Sequence, residues 1–223
     1  MKPATKAILI ISAMIMLAFA GVIFFTDHPV LNRKKTNEKY GAIAIRDHVI
    51  PFQKYGTRLF SLPYLNNYYS EVNYFTENYN GENKTAFISS LQQLLLSHDS
   101  VDIYLLAHSN AYYTWIQEID KEQRAKIRLV YNTGCSGSYQ SYYWKELGIK
   151  YYVAHESNQS ISPVFYFYFL RRYTNGYSLT EAIDESNAAM HKQLDRIKMI
   201  SFGNLSVDEK TEFDSEGKLV MQQ

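Results

Sequence analysis

Three short runs rich in apolar residues, separated by segments of helical periodicity, constrain the fold more than any other feature of this chain. The runs are Val101–Ala107, Ile127–Tyr131 and Lys150–Ala154, and the first is almost continuously apolar. A strand that is buried on both faces of a sheet has this composition. Because strands and helices alternate with short links, the sequence predicts an α/β domain with a mostly parallel sheet flanked by helices.

The remaining elements are predicted from periodicity and from helix-start signals. Gly41–Ile45 resembles a first short strand, whereas residues 51–83 show no clean period and are predicted to form loops and short helices. Ser178 and Glu181 have the spacing of a capping box, which predicts that a helix begins there. Apolar residues at helical spacing, with Gly and Pro as boundaries, predict helices over residues 85–97, 111–126, 139–147, 162–172 and 178–198.

The N-terminus carries an apolar segment long enough to cross a membrane. Lys2 and Lys6 precede Ala7–Phe25, a run of 19 residues without a charge. As a helix this run would rise about 28 Å, close to the thickness of the hydrocarbon core of a bilayer. The small residues at Ala18 and Ala20 resemble a signal-peptide cleavage site, but the apolar run continues beyond them. An uncleaved anchor is therefore favoured, with a cleaved, secreted form as the alternative.

The domain organisation follows from this segment. We predict a transmembrane anchor over residues 1–26, a polar juxtamembrane linker over 27–40, the α/β domain over 41–205 and a polar tail over 206–223. The signal-like N-terminus favours a single-pass membrane protein whose large domain is extracytoplasmic. Basic residues after the anchor, at Arg33, Lys34 and Lys35, favour the opposite orientation, because positive charge is enriched on the cytoplasmic side.

Composition excludes several classes of function. The 23 Lys and Arg residues nearly match the 22 Asp and Glu residues, so no basic surface for nucleic acid is expected. A single cysteine, Cys135, excludes an intramolecular disulfide and a structural zinc site. The histidines show no metal-ligand spacing, and no phosphate-cradling glycine motif is present. The sequence therefore predicts neither a cofactor nor a bound metal.

Two reactive side chains follow successive predicted strands. His108 comes directly after Val101–Ala107, and Cys135 follows Ile127–Tyr131 after Asn132-Thr-Gly. If these strands are neighbours in a parallel sheet, both side chains emerge at its carboxyl edge, where ligands bind in such folds. A thiol reacts as its thiolate, which a nearby imidazole and the N-terminus of a following helix both favour. The sequence therefore predicts a nucleophile and a base at one site.

This arrangement resembles the caspase-like cysteine peptidases, the group that includes caspases, gingipains and separases. The matching residues are Val101–His108 and Ile127–Gly137, each a buried strand followed by the reactive residue, together with the helix start at Asn175–Ala182. The resemblance spans about residues 85–195. It implies a caspase-like sandwich and a membrane-tethered cysteine peptidase whose partner is a peptide or protein substrate.

The resemblance also implies roles for individual residues. His108 would be the general acid and base and Cys135 the nucleophile, with the Cys135 amide contributing to the oxyanion hole. The family usually has Gly after the histidine, where this chain has Ser109. The candidates for oxyanion donors or pocket lining are Ser109, Gly134, Ser136, Gly137 and His155.

Two other functions remain open from the sequence. Thr133–Gly137 also fits a loose nucleophile elbow, which predicts a thiol α/β-hydrolase with His155 or His191 as the base. Alternatively, some of the 20 tyrosines form a surface that binds a partner. The domain would then be a non-catalytic membrane-anchored binding module. The binding module needs no chemistry from His108 or Cys135.

Overall fold

A computed structural model describes most of the chain between Asn37 and Ile197. The described residues are 10–11, 13–15, 17–18, 37–47, 51–77, 81–106, 111–134, 137–155, 162–197 and 219–222. Strands and helices alternate along these ranges. The strands are β1 (Asn37–Arg46), β2 (Tyr69–Thr76), β3 (Ser100–Leu106), β4 (Ile127–Asn132), β5 (Tyr151–His155) and β6 (Leu219–Gln222). The helices are α1 (Pro51–Tyr68), α2 (Lys84–Ser97), α3 (Tyr113–Ile116), α4 (Lys121–Arg124), α5 (Ser141–Glu146), α6 (Ser162–Tyr173) and α7 (Leu179–Ile197), with a 3-10 turn at Gly137–Gln140 before α5.

The six strands form one sheet in the order β2-β1-β3-β4-β5-β6. The pairings from β2 to β5 are all parallel, and β6 alone runs antiparallel to its neighbour β5. Sequence neighbours β3, β4 and β5 are also spatial neighbours, because each short connecting segment returns the chain to the same edge of the sheet. The predicted α/β class with a mostly parallel sheet is confirmed.

The central strand β3 is buried on both faces. Ile103 and Leu105 lie in the core on one side, with α2, α3 and α5, whereas Tyr104 and Leu106 lie in the core on the other, with α1, α6 and α7. Successive side chains of a strand point to opposite faces, so a strand between two helical layers must be apolar at nearly every position. The domain is therefore a three-layer sandwich of helices, sheet and helices.

Helix boundaries in the second half of the chain match the capping signals. Ser178 and Glu181 form the predicted capping box: the Ser178 amide donates to Glu181 Oε2 at 2.8 Å, and the Glu181 amide donates to Ser178 Oγ at 3.3 Å. Gly148 has a positive φ of 81° and follows α5, where the chain must turn into β5. Glycine tolerates this backbone conformation without a steric penalty.

Four segments differ from their predictions. Residues 51–83 contain the 18-residue helix α1 and the strand β2 in place of loops and short helices. The predicted helix over 111–126 is divided into the short helices α3 and α4. Leu219–Gln222, predicted as part of a polar tail, pairs with β5 as the last strand, and Asn37–Tyr40, predicted as linker, belong to β1.

Most of the predicted anchor over residues 1–26 lies outside the described residues. Residues 10–11, 13–15 and 17–18 are helical, and their large apolar side chains are between 45% and 72% exposed. In the part of the chain that the structure describes, no helix combines the length and the apolar character that crossing a membrane requires.

A buried ion pair stabilises the amino edge of the sheet. Asp102, at the start of β3, is 1% exposed and accepts hydrogen bonds from Arg128 Nε at 3.0 Å and from the Tyr69 hydroxyl at 2.5 Å. The Tyr69 oxygen lies 2.6 Å from the Tyr104 hydroxyl, and since Tyr69 donates its proton to Asp102, Tyr104 donates to Tyr69. The Arg128 guanidinium also lies 4.1 Å from the centre of the Tyr40 ring. The carboxylate thus joins β2, β3 and β4 at one point.

We expect Asp102→Asn to lower the free energy of unfolding by about 3 kcal/mol, because the partly buried Arg128 loses its counter-charge. Equilibrium urea unfolding of the full chain, followed by intrinsic fluorescence, measures this change. Asp99→Asn is the matched control, since Asp99 is exposed, and its effect should stay within about 0.5 kcal/mol. Equal losses in the two variants would contradict the assigned role of the ion pair.

Candidate catalytic site at the carboxyl edge of the sheet

The strands that precede His108 and Cys135 are adjacent and parallel. Ile103 pairs with Val130 and Leu105 with Asn132, so β3 and β4 end at the same edge of the sheet. The strand pairing on which the predicted site depends is therefore present. His108, Ser109, Cys135 and Ser136 themselves lie outside the described residues. The approach of the imidazole to the thiol remains a prediction.

The ends of these two strands are held together by hydrogen bonds to one carbonyl group. Leu105 O accepts from the Thr133 amide at 3.0 Å and from the Tyr166 hydroxyl at 3.0 Å. Tyr166 belongs to α6 and is completely buried, and burial raises the pKa of its hydroxyl well above the ordinary value. The hydroxyl therefore stays protonated and able to donate. A helix on one face of the sheet thus fixes where the chain leaves β3 and β4.

The amides of Gly134 and Gly137, both predicted as oxyanion or pocket candidates, have acceptors within the chain. Gly134 N donates to Asn132 Oδ1 at 2.8 Å, and Gly137 N donates to Gly134 O at 3.1 Å. An amide that already donates in this way is not free to stabilise an oxyanion. In the described arrangement these glycines shape the turn, and the oxyanion site itself stays a prediction.

Asn132 and Tyr152 were not predicted from the sequence, and both bind the same loop. Asn132 ends β4, is 1% exposed and donates from Nδ2 to the Tyr152 hydroxyl at 3.0 Å. The Tyr152 hydroxyl donates in turn to Gly137 O at 2.7 Å. A polar residue at the end of an apolar strand was the available signal for Asn132. No local signal marks Tyr152, since its partners lie 15 and 20 residues away in the chain.

His155 ends β5 at the same edge, as predicted, but its side chain is completely buried. The ring centre lies 4.0 Å from that of Phe165 and 6.2 Å from that of Tyr131. Neither ring nitrogen has a hydrogen-bond partner among the described residues. Burial lowers the pKa of His155 from 6.5 to about 3, because the charged imidazolium is poorly solvated there. The imidazole is therefore neutral at physiological pH.

The polar residues that directly follow β1 and β2 bind neighbouring loops. Asp47 is 3% exposed and accepts a hydrogen bond from the Tyr112 hydroxyl, which attaches the segment before α3. Glu77 is 4% exposed, and its carboxylate accepts from the amides of Glu82 at 2.9 Å and Asn83 at 3.2 Å. Both carboxylates therefore support the loops around the edge. Among the described residues, no group of three or more His, Cys, Asp or Glu side chains is arranged to hold a metal ion.

Comparisons of the chain with protein-family models, with curated proteins and with solved structures found no match. The resemblance to caspase-like peptidases accordingly rests on the sequence motifs around His108 and Cys135 alone and remains a prediction. His191, the other base considered for a thiol α/β-hydrolase, lies within α7. That alternative also remains a prediction.

The buried His155 makes stability depend on pH. Below its ordinary pKa of 6.5 the unfolded chain binds a proton at this residue, whereas the folded protein resists protonation until about pH 3. The free energy of unfolding is therefore undiminished by His155 above pH 6.5 and decreases as the pH drops toward 3. Because of His155, we expect the free energy of unfolding to be about 2 kcal/mol lower at pH 5 than at pH 8.

Urea unfolding of the wild type and His155→Phe at both pH values isolates this contribution, because all other groups titrate in both proteins. Phenylalanine keeps an aromatic ring against Phe165 and Tyr131 but cannot bind a proton. Between pH 8 and pH 5, the free energy of unfolding of the variant should decrease by about 2 kcal/mol less than that of the wild type. Identical losses would show that His155 does not titrate as its burial requires.

Proposed function

We propose that this chain is a membrane-tethered cysteine peptidase of the caspase-like type, in which Cys135 attacks the peptide carbonyl and His108 transfers protons. The observation that carries the proposal is the parallel pairing of β3 with β4, since the two strands that precede His108 and Cys135 in the sequence end at one edge of the sheet. Strand ends at this edge are where α/β folds place their ligands. Peptides or proteins are the proposed substrates.

The chemistry requires a thiolate and an acid at one site. His108 would take the thiol proton of Cys135, and the resulting thiolate would form a covalent acyl-enzyme with release of the amine, to which His108 returns the proton. Water then hydrolyses the acyl-enzyme. The hydrogen bonds at Leu105 O and at Gly134 support this proposal, since they hold the strand ends and the start of the cysteine loop in one arrangement.

The tether is a further part of the proposal. The exposed apolar side chains of Ile10, Met14 and Leu17 favour an N-terminal helix that inserts into a membrane over one that packs onto the domain. The signal-like N-terminus favours the extracytoplasmic side for the domain, against the basic residues at Arg33, Lys34 and Lys35. A secreted form, released after cleavage of this segment, is the alternative.

A second candidate function is a non-catalytic binding module. The observation in its favour is a group of exposed aromatic residues on the helical segment that follows Cys135: Tyr139 is 78% exposed, Tyr142 65% and Tyr143 45%. Tyr113, from the segment that follows His108, stacks on Tyr143 with ring centres 4.5 Å apart. Exposed tyrosines are common at binding surfaces. This function would survive the loss of Cys135, whereas peptide hydrolysis would not.

The rate at which iodoacetamide labels the full chain between pH 5 and pH 9 tests the Cys–His pair, because Cys135 is the only cysteine. We expect fast labelling at pH 6 in the wild type and a labelling rate about 10-fold lower, or lower still, in His108→Gln. Peptide hydrolysis should disappear in both Cys135→Ala and His108→Gln.

His98→Gln provides the matched control, since His98 precedes β3 at the opposite edge of the sheet and bonds Ser70 Oγ at 3.0 Å. It should label like the wild type. A wild-type rate that rises only near the free-thiol pKa of about 8.5 would exclude the catalytic pair. The binding module would then be the favoured function.

The tether has its own test. We expect the pair of substitutions Met14→Arg and Leu17→Arg to move the full chain from the membrane fraction into the soluble fraction after alkaline extraction. Each arginine at the centre of a membrane helix costs roughly 3 kcal/mol. Leu96→Arg is the control for surface charge, because Leu96 on α2 is 72% exposed, as is Leu17. Membrane retention of the doubly substituted chain would disprove the anchor.

A further inference from the structure

The loop between β4 and α5 is held on both sides of Cys135 by two side chains that the proposed chemistry does not use. On the near side, Asn132 Oδ1 accepts the Gly134 amide at 2.8 Å. On the far side, Gly137 O accepts the Tyr152 hydroxyl at 2.7 Å. The two supports are joined, because Asn132 Nδ2 donates to the Tyr152 oxygen at 3.0 Å. The connected side chains therefore fix the spacing between the flanks of the loop.

Tyr152 is itself firmly placed. It lies on β5, next to β4, is 2% exposed, and its ring stacks on Trp144 with centres 5.7 Å apart and an angle of 18°. Burial raises the pKa of its hydroxyl, so the group remains a hydrogen-bond donor across the accessible pH range. The phenol thus connects the sheet to the loop at every pH at which the protein would act.

Gly137 can lie close to Asn132 and Ala154 because it lacks a side chain. A Cβ atom there would lie 3.2 Å from Ala154 Cβ and 3.3 Å from Asn132 Cγ, closer than ordinary contact. The Gly137 amide also donates to Gly134 O at 3.1 Å, which closes the turn over the two intervening residues. Glycine at 137 therefore allows the loop to approach β4 and β5 closely enough for Tyr152 to reach its carbonyl.

We propose that Asn132 and Tyr152 are positioning residues, which hold Gly134 and Gly137 so that the loop presents the Cys135 thiol to its base. This inference rests on the proposed function. It adds two residues that touch neither the substrate nor the reacting atoms. A misplacement of about 1 Å at a reacting centre can lower a rate by roughly 100-fold, so the loss of one such hydrogen bond is measurable.

Tyr152→Phe tests the inference, because it removes both hydroxyl hydrogen bonds and keeps the ring against Trp144. Tyr131→Phe is the matched control: Tyr131 is a completely buried tyrosine on β4 whose hydroxyl has no hydrogen-bond partner among the described residues. The readout is the pH profile of Cys135 alkylation by iodoacetamide in the full chain, with urea unfolding to verify that both variants are folded.

We expect Tyr152→Phe to label about 10-fold more slowly than Tyr131→Phe at pH 6, with its pH profile shifted toward the free-thiol value of about 8.5. Gly137→Ala displaces the loop by a different route and should shift the profile in the same direction. If Tyr152 only stabilises the fold, its substitution would lower the unfolding midpoint and leave the pH profile of alkylation unchanged.

The outcomes separate this inference from the proposed function. If the wild type is reactive at pH 6 and Tyr152→Phe has the same profile as Tyr131→Phe, the positioning role is wrong and the Cys–His pair stands. If the wild type itself reacts as a free thiol, the proposed function fails, and the positioning role fails with it. If the wild type is reactive at pH 6 and Tyr152→Phe reacts slowly with a shifted profile while Tyr131→Phe does not, both proposals are supported.

Discussion

Parallel pairing between β3 and β4 is the contact on which the rest of the arrangement depends. The pairing is possible because β3 is apolar toward both helical layers, so it can occupy the middle of the sheet without exposing Ile103 on one face or Tyr104 on the other. Because β1 and β4 both pair in parallel with β3, the three strands end at the same edge of the sheet. The segments that follow β3 and β4 also contact each other, since Tyr113 stacks on Tyr143.

The two edges of the sheet differ in their physical character. At the amino edge, the Asp102 carboxylate accepts hydrogen bonds from Arg128 and Tyr69, and Tyr104 in turn bonds Tyr69, an arrangement that satisfies a buried charge. At the carboxyl edge, side chains such as Asn132 and Glu77 bind backbone amides of the following loops. The polar contacts of the first edge connect strands to one another, whereas those of the second also shape the loops beside the proposed site.

Much of the second half of the fold could be predicted because its signals are local. The apolar composition of β3 and the Ser178–Glu181 capping box each depend on a few consecutive residues. Helix α1 was missed because its side chains show no clean period, and its stability comes from packing of residues such as Phe60 and Tyr64 against Phe167 of α6. Strand β6 was missed because Leu219–Gln222 is short and gains its order from pairing with β5.

The sequence by itself determined the fold class, the single thiol at Cys135 and the placement of His108 and Cys135 after successive buried strands, because each of these is written in contiguous residues. Only the tertiary structure decided that β1 lies between β2 and β3, that the Gly134 amide is bound by Asn132, and that Tyr152 reaches Gly137. It also decided that the His155 ring is buried with no hydrogen-bond partner among the described residues. Such facts depend on which strands become neighbours and in what register, and register is set by the packing of whole layers.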